Sequence, residues 1–442
     1  MTNTVTLKHN IIGRKEKSTT PLKKGEKSGS LFLITAMFVI GSLIAIFSNI
    51  PIKSVMKSYS YDVLVILIIM ELFTNLIAST GIMQLLAIKI SEISKGKKRL
   101  CLMLFSGMMF LISSCLNNIT AVMMILPIIF VLLKTLEIDK KYISIFFASI
   151  LALSNTGGAA SPVGDFPAIV IMTSGITSFS GYLTHAFPLF AITSVAIILV
   201  WGLCVKREKD DGGIRTLAIN TLKSQYKNIT INHSALKALA AIFVAMFLAW
   251  SFVPQDIIPP EIIAVLGYVV AMIICAVKGI KVEQHMDLKS LLTIASFLFF
   301  AQVISQTGIL SLLASFLQAN IKDPKMLIMA IMIITSIIAG VFSAGPAAAA
   351  MMPIIVELCQ GPLGAQADWI AVAYAASICA GSSLLMSSAT AGFILSNKVN
   401  DARIVDEHGK RISWGFGQYL RYGFVNFGIQ LSIALVIMAM VL

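Results

Sequence analysis

Apolar runs of membrane-spanning or near-spanning length, parted by short polar stretches, fill the chain from residue 31 onward. Runs at 31–50, 61–79, 100–116, 119–133, 142–153, 166–173 and 186–205 form a first half, with an amphipathic piece at 82–90. Runs at 236–252, 262–277, 291–306, 327–342, 347–356, 370–396 and 416–442 form a second. About 20 apolar residues in helical conformation cross a bilayer core, and only helices or closed barrels satisfy their backbone there. The pattern predicts an all-α polytopic membrane protein. It divides into a basic tail (1–30), a first transmembrane half (31–205), a cytoplasmic linker (206–235) and a second transmembrane half (236–442).

The runs flanking Asn117 and Asn118 are too short to be ordinary spans. An arm of roughly 16 residues rises about 24 Å, against a hydrocarbon core of about 30 Å. Basic residues flank both ends: Lys95, Lys97, Lys98 and Arg99 before, Lys134, Lys140 and Lys141 after. A re-entrant hairpin that enters and leaves on one side explains both facts. With it, only Lys53, Lys57, Lys322 and Lys325 fall outside, so 30 of the 34 Lys and Arg residues lie inside (34 − 4 = 30). This asymmetry predicts a cytoplasmic N-terminus and an external C-terminus in an inner (plasma) membrane.

Composition agrees: of 442 residues, 57% are hydrophobic and 12% charged, which excludes a water-soluble globule. The net charge of +13 sits in loops, as orientation requires, and does not point to nucleic acid. The tail carries Lys8, Arg14, Lys15, Lys17, Lys23, Lys24 and Lys27 without the short apolar core of a signal peptide, so the first run is expected to stay. Six scattered cysteines lack metal-ligand or disulfide spacing, and no metal site is expected. No GxxxxGK[ST], HExxH or GxSxG motif is present, so neither an ATP-driven pump nor an enzyme is indicated.

The chain repeats itself. TGIMQLLA at 80–87 recurs as TGILSLLA at 307–314, ILPII ending at Ile129 as MMPII ending at Ile355, and FSGYLTHAF from Phe179 as FGQYLRYGF from Phe416. The offsets are 227, 226 and 237, in the same order. The predicted topology runs the two copies in opposite directions across the membrane. The expected fold is therefore two inverted-topology repeats, each with a re-entrant helical hairpin and a broken transmembrane helix, the symmetry that gives secondary transporters two related shapes.

Polar interruptions at membrane depth are the candidate site. They are the hairpin tip with Asn117, Asn118 and Thr120, the stretch SNTGGAASPVGDFP (154–167), and in the second copy FSAGPAAAAMMP (342–353) with SICAGSSLLMSSATAG (377–392). Breaking a helix in lipid costs several kcal/mol per unpaired backbone group, so such breaks persist where they line a site. Asn117, Asn118, Asn155 and Thr156 offer side-chain oxygens, while Gly157 and Gly158 would permit a turn and a ligand's close approach. Asp165 reads equally as a helix cap and as an ion ligand, and its repeat partner, at an offset of 223, is Ser388. Glu71, deep in an apolar run, is either a coupling acid or a satisfied structural one.

These motifs resemble the ion-transporter superfamily, which includes arsenite permeases, D-type sodium/proton antiporters, citrate permeases and divalent anion/sodium symporters. LNNITAVMMILP resembles its first hairpin tip, SNTGGAASPVGDFP its S-N-x-G-G-x-x-T-x-I-G-D-P-P-N break, and AGSSLLMSSATAG the antiporters' G-G-S-L-L-x-I-G-S-A-A-G. The resemblance implies an ion or substrate site at Asn118, Thr120, Asn155, Thr156, Gly157, Gly158 and Asp165, with Ser343, Gly345, Gly381, Ser382 and Ser383 in the second half; Ser154, which opens the break, is a candidate beside them. It also implies a homodimer with an elevator-like transport domain. Asn117 stands where the arsenite and antiporter branches carry Asp, and Ser343-Ala344-Gly345 where symporters carry S-N-T.

The expected function is an ion-coupled secondary transporter of a small charged solute, with an anion (carboxylate or oxyanion) preferred and sodium or proton as coupling ion. Two other readings stay open: a sodium/proton antiporter using Asp165 and Glu71, and a channel or non-transporting scaffold.

Overall fold

A computed structural model describes residues 24–136, 138–205, 212–225, 232–255, 257–280, 282, 288–361, 364–389, 391–406 and 411–442. The basic tail through Lys23, parts of the linker (206–211 and 226–231) and Thr390 of the last motif lie outside them. The chain is helical throughout, and among the described residues the one β feature is an isolated bridge between Val405 and Arg411.

The first half comprises α1 (Lys24–Phe47), α2 (Ile52–Lys57), α3 (Tyr61–Ala78), α4 (Ile82–Ser94), α5 (Lys98–Ser113), α6 (Asn118–Thr135), α7 (Lys140–Ala159), α8 (Phe166–Thr173) and α9 (Phe179–Cys204). A linker helix α10 (Gly212–Gln225) follows. The second half comprises α11 (His233–Phe252), α12 (Pro260–Val277), α13 (Leu288–Gln306), α14 (Ile309–Asn320), α15 (Pro324–Phe342), α16 (Ala344–Gln360), α17 (Ala367–Ser382), α18 (Gly392–Asp401) and α19 (Phe416–Val441). Among the described residues seven helices, α3, α7, α9, α11, α12, α15 and α19, are long and apolar enough to cross a membrane. The protein is a multi-pass membrane protein.

The order of elements from α3 to α9 recurs from α13 to α19, and the packing recurs with it. The pairs α5–α7, α5–α9 and α4–α6 match α15–α17, α15–α19 and α14–α16, while α12 on α3 matches α1 on α13. The TG pair of the first sequence repeat has a local cause. Thr80 Oγ1 donates to Ile77 O at 2.6 Å and Thr307 Oγ1 to Ile304 O at 2.7 Å. Gly81 (φ 80°) and Gly308 (φ 76°) then take the left-handed conformation that turns the chain into α4 and α14, a region glycine enters without steric cost.

Helix starts follow capping chemistry. Asp139 accepts from Tyr142 N at the head of α7, Ser178 from Gly181 N at α9, and Asp323 from Lys325 N at α15. The apolar window of α7 is 100% buried in protein, whereas those of α11 and α19 are 22% buried. The helix that carries the first break is thus screened from lipid by its neighbours.

The linker is more structured than a spacer of mixed charge. Within it, α10 lies on α4 and α6. Leu222 is fully buried and Lys223 Nζ pairs with Glu92 Oε1 at 2.8 Å.

Candidate functional site

Residues 114–117 join α5 to α6, and Asn117 caps α6, its Oδ1 accepting from Ile119 N (3.0 Å) and Thr120 N (3.4 Å). That oxygen is engaged in the cap, a task Asn performs as well as Asp. The next residue faces inward: Asn118 is 1% exposed and its Nδ2 donates to Asp165 Oδ2 at 2.8 Å. Asp165 Oδ1 accepts from Phe166 N at 2.9 Å, so one carboxylate both caps α8 and holds the hairpin. Among the described residues Asp165 is the only charged side chain that is buried. Asn118 Oδ1 and Ser113 Oγ are buried beside it without a hydrogen-bond partner among those residues. A buried acceptor with nothing to accept is costly by about 1–3 kcal/mol.

Gly157 and Gly158 do not make the turn expected of them. Both lie inside α7, and the break is 160–165. Their role is close packing, because a Cβ on Gly157 would stand 2.4 Å from Phe110 O and 2.9 Å from Ser113 Cβ. On Gly158 it would stand 2.7 Å from both Asn118 Oδ1 and Nδ2 and 2.8 Å from Asp165 Cβ. Ser161 Oγ donates to Ser114 O at 2.5 Å, a second tie between the break and the hairpin. Ser154 and Thr156 are buried with their hydroxyls bonded within α7, to Leu151 O (3.1 Å) and Ala152 O (2.7 Å). Thr120 is half-buried in the first turn of α6.

The second half repeats the construction with different chemistry. A single residue, Ser343, joins α15 to α16, at φ 88° and ψ 156°, a region almost reserved for glycine. Ser343 makes no side-chain cap, and neither α16 nor α18 has a side-chain cap bond. Ala344 N donates to Ser388 O at 3.2 Å, bringing the second tip to the second break. Ser388 does not cap α18 as its alignment with Asp165 suggested. It lies inside the turn, its Oγ accepting from Leu385 N at 3.1 Å, because α18 begins only at Gly392. A Cβ on Gly381 would stand 2.2 Å from Ser336 O and 2.7 Å from Ala339 Cβ. This is the Gly157 contact displaced by one repeat.

Four elements converge. A Cβ on Gly345 at the second tip would be 3.3 Å from Phe166 Cδ1 at the first break. Asn155 Nδ2 reaches both Ser382 O and Ser383 Oγ across the two broken helices, at 3.4 Å each. Asn118, Gly158 and Asp165 therefore meet at the first break, Asn155 ties α7 to Ser382 and Ser383 at the second, Gly345 approaches through Phe166, and Gly381 packs against α15. Glu71 is half-buried on α3 and is not without a partner.

Sequence reasoning missed two tyrosines. Tyr182 OH donates to Ala159 O at 2.7 Å and Tyr419 OH to Ser383 O at 2.6 Å, each closing the end of a broken helix. The signal was present, since both occupy the fourth position of the FSGYLTHAF and FGQYLRYGF repeats. Tyr182→Phe and Tyr419→Phe each remove the donor to a buried carbonyl. Each is expected to cost about 1–3 kcal/mol in thermal unfolding of detergent-solubilised protein; an unchanged midpoint would contradict this role. Asn426 and Gln430, two polar residues four apart in an apolar helix, were also missed, although intramembrane polar groups are themselves a signal.

Paired helix hairpins and paired broken helices meet around buried polar residues, and the proteins that this chain resembles are membrane transporters, not enzymes. The chain belongs to the citrate transporter family CitMHS, whose profile matches residues 26–378. It is 24% identical to an uncharacterized transporter of Mycobacterium bovis over 382 residues, 85% of this chain and 84% of that one. It is 21% identical to the magnetosome protein MamN of Magnetospirillum gryphiswaldense, over 91% of each chain. The solved structure of the YdaH transporter of Alcanivorax borkumensis shares the fold, with a TM-score of 0.53, 12% identity, and coverage of 93% of this chain and 97% of that one.

Proposed function

We propose that this protein is an ion-coupled secondary transporter of a small anion, a carboxylate or oxyanion, working by alternating access. The observation that carries the reading is the meeting of both hairpin tips and both helix breaks around Asn118, Asp165 and Asn155. The halves divide the labour. In the first, the buried Asp165 carboxylate and the unpartnered Asn118 Oδ1 form an oxygen-rich environment suited to a sodium ion or a proton. In the second, the N-termini of α16 and α18 carry no side-chain cap. Although Ala344 N and Gly392 N are bonded to Ser388 O and Ala389 O, the positive dipole ends with Gly345 N favour negative charge on a solute. Among the described residues the one buried carboxylate is Asp165 at the first break, and none lies in the second half to oppose an anion.

The two repeats are inverted in this reading, with hairpins α5–α6 and α15–α16 entering from opposite faces. The N-terminus is cytoplasmic, the C-terminus external, and the protein a plasma-membrane homodimer whose transport domain moves as an elevator. The recurrence of helix pairings between the halves supports the symmetry. The family's description as citrate transporters makes a carboxylate the first solute to test.

Reconstituted protein is expected to take up radiolabelled citrate, succinate or an arsenite analogue when a sodium or proton gradient is imposed. Absence of gradient-dependent flux of any of them would overturn the proposal. Sodium-driven dequenching of a pH dye that is lost in Asp165→Asn, with no anion flux, would replace it with sodium/proton antiport.

A further inference from the structure

Helix α19 presents Phe424 and Val436 outward, at 57% and 59% exposure, and buries Tyr419, Gly423, Asn426, Gln430, Ala434 and Met438. A glutamine on the buried stripe of an apolar helix is expensive unless both ends of its amide are used. Both are. Gln430 Nε2 donates to Ser383 Oγ at 2.9 Å, and its Oε1 accepts from Cys379 Sγ at 3.4 Å.

The consequence lies one residue further on. A hydroxyl has one hydrogen and two lone pairs. Ser383 Oγ donates its hydrogen to Cys379 O at 3.1 Å and accepts from Gln430 Nε2 and from Asn155 Nδ2 (3.4 Å). Its capacity is then full, so it has no hydrogen to offer Asn155. The Asn155 amide must present its nitrogen to α17, where Ser382 O also receives it, and turn its oxygen the other way. Both hydrogen bonds of Asn155 run from its nitrogen, and neither uses that oxygen.

The first half has nothing comparable. At the offset of 237 that relates α19 to α9, Asn426 and Gln430 correspond to Leu189 and Thr193. The Thr193 hydroxyl is bonded to Leu189 O of its own helix at 2.9 Å. The tyrosine is common to both copies and the amide pair is not, so Gln430 is not a staple that the repeat requires.

We propose that Gln430 is a positioning residue of the transport site: acting through Ser383, it holds the Asn155 amide with nitrogen on α17 and oxygen free for the solute or its coupling ion. The proposal rests on the reading that Asn155 lines that site. Gln430→Met keeps the length of the side chain and removes the donation.

The test uses full-length protein in proteoliposomes, with radiolabelled citrate uptake measured over a range of citrate and sodium concentrations. Gln430→Met and Asn155→Ala are each expected to raise a half-saturating concentration by about tenfold, leaving the maximal rate within roughly twofold. The double variant should be no worse than either single one, and Gln430→Met should add nothing in a Ser383→Ala background. An effect confined to the maximal rate, or one that adds in full to Asn155→Ala, would overturn the proposal. If the wild type moves no citrate under any gradient, that outcome bears on the solute. The relay is then decided by thermal unfolding, where coupling between Gln430→Met and Asn155→Ala must be present in wild type and absent in Ser383→Ala. Purely additive shifts would refute it.

Discussion

Asp165→Ala and Asn118→Ala are each expected to reduce gradient-driven solute uptake by two to three orders of magnitude, with the double variant no worse than either. The reason is that the two side chains act as one unit, joined at 2.8 Å in a buried setting. A loss of about 3–4 kcal/mol, the lower part of the range for removing one partner of a buried charged pair, is a factor of roughly 10² to 10³ if it falls on the transporting state. Effects within such a unit do not add. Stability should separate the two. Asn118→Ala leaves a buried carboxylate oxygen without its donor, whereas Asp165→Ala removes the charge and loses a cap worth about 1 kcal/mol. The first variant should therefore unfold at the lower temperature. Uptake that survives both substitutions would detach this pair from function.

The second large effect is steric. Gly157→Ala drives a methyl group to 2.4 Å from Phe110 O, and Gly381→Ala to 2.2 Å from Ser336 O. In both the obstacle is backbone of the neighbouring hairpin arm, which cannot turn aside as a side chain would. Overpacking of this kind costs about 1–3 kcal/mol, and here it also separates the arm from the break it supports. Both variants are expected to unfold at lower temperature and to lose uptake. Gly428→Ala on α19 serves as control, since its added Cβ meets nothing within 4 Å. It should be neutral or slightly stabilising, because alanine suits a helix interior better than glycine. Equal midpoints for all three would show that the arms are not held as described.

Much of this was legible in the chain. Spans, hairpin arms and breaks follow from apolar run lengths, because a bilayer rewards one secondary structure and one length range. The polar interruptions marked Asn118, Asn155 and Asp165 as candidates and the family resemblance added Gly381; the structure joins Asn118 to Asp165 and Asn155 to the second break, and packs Gly381 against α15. Errors arose where a residue type has two uses. Glycine permits a turn and also permits close packing; only the distance to Phe110 O shows that Gly157 does the second. Ser388 aligns with a helix cap, yet α18 begins four residues after it.

What the sequence by itself determined is therefore periodic or compositional: helical class, membrane residence, twofold repetition and the places where the chain must break. Those properties follow from each segment meeting lipid or water on its own, and no partner is needed to state them. Which polar atoms satisfy one another was decided only in three dimensions. Gln430 stands 47 residues from Ser383 and Asn155 stands 228 from it. Nothing local marks such a partnership, because a hydrogen bond depends on where folding brings its two ends and not on how far apart they lie along the chain.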